Sequence, residues 1–354
     1  MNSMLPAYLR RRVGTQILML LVGITALMQV LELLDVTTDV LKRGQGLSGL
    51  LYYGMLRTPA ELVLALPLAV LLGTMMVFHS MARGLEITAI RTAGVSLMRL
   101  LGYLAPLLLL LAIFQFALSE RVLPRAETEL TQWWNASAPP DTEQTRLWAR
   151  TSSGPVSIEA ISPDGRRLRD VRIYARDKSG LITARLSAQQ AVWDGRAWQL
   201  TNVQELGVTG ATVQRLHSDS RAWATNLRPD DVLRLALTRP HLSSTMLAEV
   251  IAGARAGTQP RSYYQTVLYR SFTAPLGIFV MALLALPTAC SLPRVTGGRE
   301  MLVALVLGLS FLLSDGIIVS LGTSGRLPPL VVALAAPLLF AFIGMLQLRA
   351  YERI

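Results

Sequence analysis

Residues 100–119 read LLGYLAPLLLLLAIFQFALS, a run without a single charge. At about 1.5 Å per residue in a helix it reaches ~30 Å, the thickness of bilayer hydrocarbon. Hydrocarbon offers no partner to backbone N–H and C=O groups, so the run must be helical. Three more uncharged runs of similar length follow the same logic: Leu62–Ala82, Ser271–Pro293 and Leu327–Leu348. Two others carry an acid each: Glu32 lies in Val13–Leu34 and Asp315 in Met301–Gly325. The expectation is a membrane α-helical protein with six transmembrane helices, three on each side of a large polar block (3+3).

Composition agrees. Only 16% of the 354 residues are charged, with a mean hydropathy of +0.42, against about 25% charged residues in soluble domains. The first run is too long for the apolar part of a signal peptide, and no small-x-small site follows it, so it is expected to stay as an anchor. The net charge of +11 does not point to nucleic acid, because the bases are dispersed instead of forming one patch. Much of the surplus follows the positive-inside rule. With the N-terminus inside, the short inner segments hold Arg10, Arg11, Arg12, Arg83, Arg91, Arg99, Arg294, Arg299, Arg349 and Arg353. The short outer loops hold only Lys42, Arg43, Arg57 and Arg326. Both termini are therefore expected in the cytoplasm and the central block outside it. The lone cysteine, Cys290, allows no disulfide within the chain, so that block must rely on its own core. The preference for arginine over lysine hints at a GC-rich bacterial genome.

The expected boundaries are 1–119 for the first three helices, 120–265 for the outer block and 266–354 for the last three helices. Asp35–Thr58 reads as an outer loop around Gly44-Gln45-Gly46. Pro124 reads as a turn before a polar helix at Glu127–Asn135. From 147 to about 226 the pattern has period two, the signature of half-buried strands. Val156, Ile158, Val171, Ile173, Ile182, Ala184, Leu186 and Leu200 form the apolar set that faces inward. Glycines at 165, 180, 195 and 210 recur in equal steps of 15, which leaves long strands of about 10–12 residues against a usual ~5–6. A meander curled into a roll or sandwich is expected. An amphipathic helix follows at Ser243–Ala254.

Catalytic signatures are scarce. No Gly-Lys pair exists, so no phosphate-binding P-loop can form. His79, His217 and His241 are isolated, and no metal site is expected. Two features carry more information. The segment 83–95, with Arg83, Glu86, Ile87, Ile90 and Gly94, reads as a short helix between two spans, suited either to docking a cytoplasmic ATPase or to a solvated connection. Asp315 lies 15 residues after Glu300, or about 22 Å into its span. An acid there costs at least ~2.5 kcal/mol on insertion scales and should face a cavity or a partner. Glu32 and Asp35 sit at the outer end of the first span.

These residues, taken together, resemble the lipopolysaccharide export permease family, LptF/LptG, over nearly the whole chain. The resemblance rests on Leu66-Pro67-Leu68-Ala69-Val70-Leu71-Leu72-Gly73, on the segment from Arg83-Gly84-Leu85-Glu86 through Ala93-Gly94, and on Leu147-Trp148-Ala149. It rests further on Trp223-Ala224-Thr225-Asn226-Leu227, on Asp315 and on Leu327-Pro328-Pro329, and it leans toward the LptG branch. It implies six spans with an inserted all-β periplasmic jellyroll-like domain in the inner membrane of a Gram-negative cell. It implies a homologous partner permease of the LptF type, two copies of a cytoplasmic ABC ATPase of the LptB type, and periplasmic bridge proteins of the LptC and LptA types. Such a chain is not an enzyme and holds no cofactor. ATP and Mg would be bound by the partner ATPase. Glu86, Ile87 and Ile90 would be seated in the ATPase groove, and Glu32, Asp35, Lys42, Arg43 and Asp315 would line the lipid cavity or its gate. One departure is visible. Family members can carry a base at the outer end of the first span, facing lipid phosphates. Here that end reads Glu32, Asp35 and Asp39, so a phosphate contact is either absent or shifted to Lys42 and Arg43 in the loop. The readings kept alongside are the LptF-type role and a membrane-anchored sensor or scaffold whose β-domain binds a ligand. A lipid-modifying enzyme is disfavoured by the lack of a His/Asp/Glu cluster.

Overall fold

The computed structural model describes residues 4–137, 147–162, 164–176, 182–209, 212–235, 242–290 and 299–352. They form two compact units, one of residues 1–41, 46–123 and 265–354, the other of 42–45 and 124–264.

In the helical unit, α1 (Met4–Lys42), α2 (Gly46–Arg83), the short α3 (Glu86–Thr92) and α4 (Leu97–Ala117) come first. After the β unit come α8 (Arg261–Thr273), α9 (Leu276–Ala285), α10 (Arg299–Thr323) and α11 (Pro329–Glu352). Five helices are long and apolar enough to cross a membrane. The pair α8–α9, bent by 53°, makes a sixth span if counted as one. The bend falls at Pro275, which has no N–H to continue the ladder and restricts the residue before it. The uncharged run from Ser271 is thus two helices, not one. The expected loop at Asp35–Thr58 is also corrected. α1 and α2 run on through it, leaving 43–45 as the connection, where Gly44 turns the chain at a φ of 73°. Pro124 does not make a turn. A π turn at Leu118–Val122 leads straight into α5 (Leu123–Ala136), and a wider turn of this kind relieves the clash between a proline ring and the preceding carbonyls.

α9 is buried along nearly its whole length, packed on α2, α4, α10 and α11. A helix that is apolar all round belongs in such a central position. α1 instead buries one narrow stripe, Leu9, Val13, Ile17, Leu21 and Thr25, and exposes most of its remaining apolar side chains. Close helix contacts are made at glycines, as in other membrane bundles. A Cβ on Gly73 would lie 2.8 Å from Ile17 Cγ1 and 3.0 Å from the Ile17 backbone.

The second unit holds one antiparallel sheet. Its strands are β1 (Leu147–Thr151), β2 (Gly154–Ile158), β3 (Ala160–Ile161), β4 (Arg167–Arg176), β5 (Ile182–Trp193), β6 (Trp198–Thr209) and β7 (Thr212–Trp223). Their order is β1-β2-β4-β5-β6-β7, with β3 also on β4. Neighbours in space are neighbours in sequence, so among the described residues this is a meander. The crossed pairing of a jelly roll needs long connections between sheets, and short hairpins link these strands. The turn at Asp194-Gly195 is held by the Asp194 carboxylate, which accepts from the N–H groups of Ala197 (2.7 Å) and Arg196 (2.8 Å). The bonds from Ala197, then Arg196, pull the carboxyl down to about 2. What they add to the turn is present above the ordinary carboxyl range and is lost as the pH falls toward 2. The turns expected at Gly180 and Gly210 lie outside the described residues.

Burial along the strands breaks the simple alternation. Leu168 and Val171, Ala188 and Ala191, and Leu200 and Val203 are all buried, although residues three apart on a regular strand face opposite sides. The pairings Arg169↔Gln190 and Val171↔Ala188 bracket Asp170 and Gln189. The pairings Thr201↔Gln190 and Val203↔Ala188 bracket Asn202. Asp170, Gln189 and Asn202 therefore stand in one row across three strands, and all three strands reverse their facing at it. Register is kept because the reversal is shared. Asp170 and Asn202 have φ of 47° and 54°, a backbone region that Asp and Asn tolerate better than other side chains. Asn202 Nδ2 donates to Gln189 Oε1 at 3.1 Å.

Gly73→Ala is expected to lower stability in detergent by about 1–3 kcal/mol through overpacking of α1 on α2. Gly102→Ala, where nothing lies within 4 Å of the added carbon, should leave it unchanged or raise it by up to ~1 kcal/mol. Thermal unfolding of both variants distinguishes a tight helix contact from a generic glycine effect.

Candidate functional site

The corner between α2 and α4 is built around α3. Leu85 precedes it at a φ of 63°, a left-handed conformation unusual for a leucine. Gly94 ends it: its N–H donates to the Arg91 carbonyl at 2.9 Å, and Val95 N–H donates to the Ile90 carbonyl at 3.3 Å. This is the six-to-one and five-to-two closure that glycine permits at a helix end. The helix turns Ile87 into the core of the helical unit, where it is 2% exposed, and Ile90 packs on the same core. Ile87 thus holds α3 to its own bundle. The outward surface consists of Arg83, Gly84, Leu85, Thr88, Ala89, Arg91, Thr92, Ala93 and Gly94.

Glu86 opens the first turn of α3. Its two carboxylate oxygens accept from Arg12 Nη1 at 2.8 and 2.9 Å, and Oε2 also accepts from the Tyr8 hydroxyl at 3.1 Å. The other terminal nitrogen of Arg12 donates to Ser80 Oγ at 3.3 Å. Tyr8 and Arg12 are one helical turn apart on α1, so they share a face. The sequence identified Arg12 only as one of ten inner bases. Its spacing from Tyr8 is the local signal that it belongs to a cluster.

A second cluster joins α1 to α2 near the other end of α1. Glu32 Oε1 accepts from the Tyr53 hydroxyl at 2.7 Å and from Arg57 Nε at 2.9 Å. Glu61, one turn beyond Arg57, is 5% exposed, and neither of its oxygens has a hydrogen-bond partner among the described residues. Tyr53, Arg57 and Glu61 were not singled out by sequence. Arg57 was counted as an outer-loop base because α2 was expected to begin after it.

The other gate candidates are held separately. Asp315 on α10 is nearly buried and is gripped by both terminal nitrogens of Arg270, in the last turn of α8. The partner that an acid at this depth requires comes from the chain itself, just before the break at Pro275. A two-pronged arginine–carboxylate pair is the strongest form of this contact. In the other unit, Arg43 donates to the Trp134 carbonyl at 2.6 Å and lies 3.9 Å above the Trp134 ring. Asp35 and Lys42 are exposed. Within the helical unit, Glu32 and Asp315 are held by different arginines.

In the sheet, Val156, Ile158, Val171, Ile173 and Leu200 are buried, Leu186 packs at the margin of this core, Ala184 is half-exposed and Ile182 is 52% exposed. The inner face is closed at one end. There Trp193, Trp198 and Trp223 pair across strands, and Trp198 Nε1 donates to the Leu227 carbonyl at 2.9 Å. Among the described residues it is open at the other end, toward Ile182 and Leu216. Among the described residues no group of three or more His, Cys, Asp or Glu side chains could hold a metal.

Apolar helices long enough to span a bilayer, ion pairs joining those helices and an antiparallel β unit define a multi-pass membrane protein with a large extramembrane domain. Residues 7–350 match the family described as "Lipopolysaccharide export system permease LptF/LptG", and the chain belongs to it. It is 26% identical over 354 residues to the lipopolysaccharide export system permease protein LptG of Escherichia coli K12, covering 97% of each chain. It is 24% identical over 330 residues to the LptG protein of Haemophilus influenzae Rd, covering 91% of each.

The Arg270–Asp315 pair generates a test. Asp315→Asn or Arg270→Gln alone should lower stability by about 3–5 kcal/mol by stranding the other group. The double variant Arg270→Met/Asp315→Leu should recover most of that loss. A double-mutant cycle on unfolding in detergent measures the coupling.

Proposed function

We propose that the chain is the LptG-type permease subunit of an ABC transporter that takes lipopolysaccharide from the inner membrane and passes it toward the outer membrane. The observation that carries this reading is the match to LptG relatives over nearly the full length of both chains. The proposed orientation has both termini in the cytoplasm, set by ten inner against four outer short-loop bases, and 120–265 in the periplasm between 1–119 and 266–354. The proposed partners are an LptF-type permease, two LptB-type ATPases and bridge proteins of the LptC and LptA types. ATP and Mg are bound by the ATPase, and this chain contributes no catalytic group. α3 is the docking element, with Glu86 as its acid and Leu85, Thr88 and Ala89 as its outward surface.

The physical problem such a machine solves is large. Each buried CH₂ is worth about 0.8 kcal/mol, so drawing several acyl chains into water in one step is prohibitive. An apolar surface that receives the chains as they leave the membrane divides that cost into small steps. The open end of the inner sheet face, at Ile182, Ala184 and Leu186, suits that role.

Photo-crosslinkers placed at Ile182 or Leu186 should capture lipopolysaccharide in an ATP-dependent way, whereas one at Arg185, on the opposite face, should not. Equal capture on both faces, or none on either, favours a scaffold whose β unit binds protein. Purification with an LptF-type chain, as opposed to a second LptG-type chain, separates the two permease roles.

A further inference from the structure

The grip of Arg12 and Tyr8 on Glu86 has no part in the docking role just proposed. Its contribution to the stability of the fold is small. The Arg12 and Glu86 side chains keep 31% and 37% of their exposure, and ion pairs that wet add little to stability. Its geometry is nevertheless specific. One arginine nitrogen bridges both carboxylate oxygens, the other reaches Ser80 on α2, and the tyrosine one turn earlier adds a third bond to the same carboxylate. Three elements meet in one side chain: α1 through Arg12, α2 through Ser80 and α3 through Glu86. The carboxylate still has acceptor capacity, since two oxygens offer about four lone-pair sites and three are used. A base from a docked protein can therefore join without expelling Arg12.

We propose that Arg12, oriented by Tyr8, is a positioning residue that fastens the end of α1 to the docking helix, so that a displacement of α3 by the ATPase is carried into α1. The inference rests on the reading of α3 as the docking element. α1 is suited to transmit such a displacement, because it is one helix from Met4 to Lys42 and touches the bundle along a single stripe. The same helix carries Glu32, tied to Tyr53 and Arg57, toward its other end.

The test uses the full complex with its partner permease and ATPase, prepared with wild-type, Arg12→Gln, Arg12→Lys and Glu86→Lys chains. Two quantities are read: the amount of ATPase that co-purifies, and the ratio of ATP hydrolysis with lipopolysaccharide to that without. Arg12→Gln should lower the ratio about tenfold, the scale of lost bonds to a charged group. Arg12→Lys should restore most of it, because an ammonium on a similar stem again meets the carboxylate. A wild-type ratio in Arg12→Gln overturns the clamp. Equal losses in Arg12→Gln and Arg12→Lys with a reduced membrane level indicate packing alone, and overturn it too. Loss of the ATPase in Glu86→Lys beside an unchanged Arg12→Gln removes the clamp and leaves the docking helix standing. Normal assembly and ratio in Glu86→Lys removes the docking reading, and the clamp with it.

Discussion

A charge left unpaired in or near hydrocarbon is the constraint on which the helical unit depends. Three of the acids singled out by the sequence in this unit meet it with an arginine from a different helix. Glu86 on α3 takes Arg12 on α1, Glu32 on α1 takes Arg57 on α2, and Asp315 on α10 takes Arg270 on α8. The pairs therefore do more than neutralise. Each ties two helices that apolar packing alone would leave free to slide, since lipid tails are as apolar as the side chains that face them.

The pairs differ in burial, and the difference sorts their roles. Arg270 and Asp315 are mostly shielded from solvent, so parting them strands a charge at high cost. That pair behaves as a fixed joint beside the break at Pro275. Arg12 and Glu86 are about a third exposed, where water screens both charges and exchange of partners is inexpensive. On the proposed docking reading, the pair that would receive a second protein is the wetter one.

Much of the fold is legible in the sequence because hydrocarbon imposes a length, an absence of charge and a helix all at once. Residues 100–119 needed no other information. The long strands were legible through period two and through Asp164-Gly165 and Asp194-Gly195. The failures are equally physical. Glycine and polar residues at 35–58 read as a loop, yet only 43–45 leave the helix, because nothing between Gly46 and Thr58 breaks it. Pro124 reads as a stop, but a π turn absorbs it. That Ile87 packs into the core of its own bundle is a matter of helical phase, which residue type does not show. The arginine partners were illegible for a different reason. Ion pairs between residues 74, 25 and 45 positions apart leave no periodic trace in one sequence.

The sheet shows how a local rule can fail while the global arrangement holds. Alternation within each strand lapses at Asp170, Gln189 and Asn202, yet the pairings that flank this row, Arg169↔Gln190 with Val171↔Ala188 and Gln190↔Thr201 with Ala188↔Val203, keep one register. A reversal in one strand alone would send half of its apolar side chains into water. Three adjacent strands reversing in one row keep Leu168, Ala191 and Leu200 on the same side as Val171, Ala188 and Val203. The row thus divides one continuous apolar face into two parts. Beyond it on one side, the tryptophans at 193, 198 and 223 and the segment at Leu227 fill the space. On the other, the face runs out toward Ile182 and Leu216, which are exposed among the described residues. An apolar face exposed at one end and closed by tryptophans at the other fits the proposed role of receiving acyl chains.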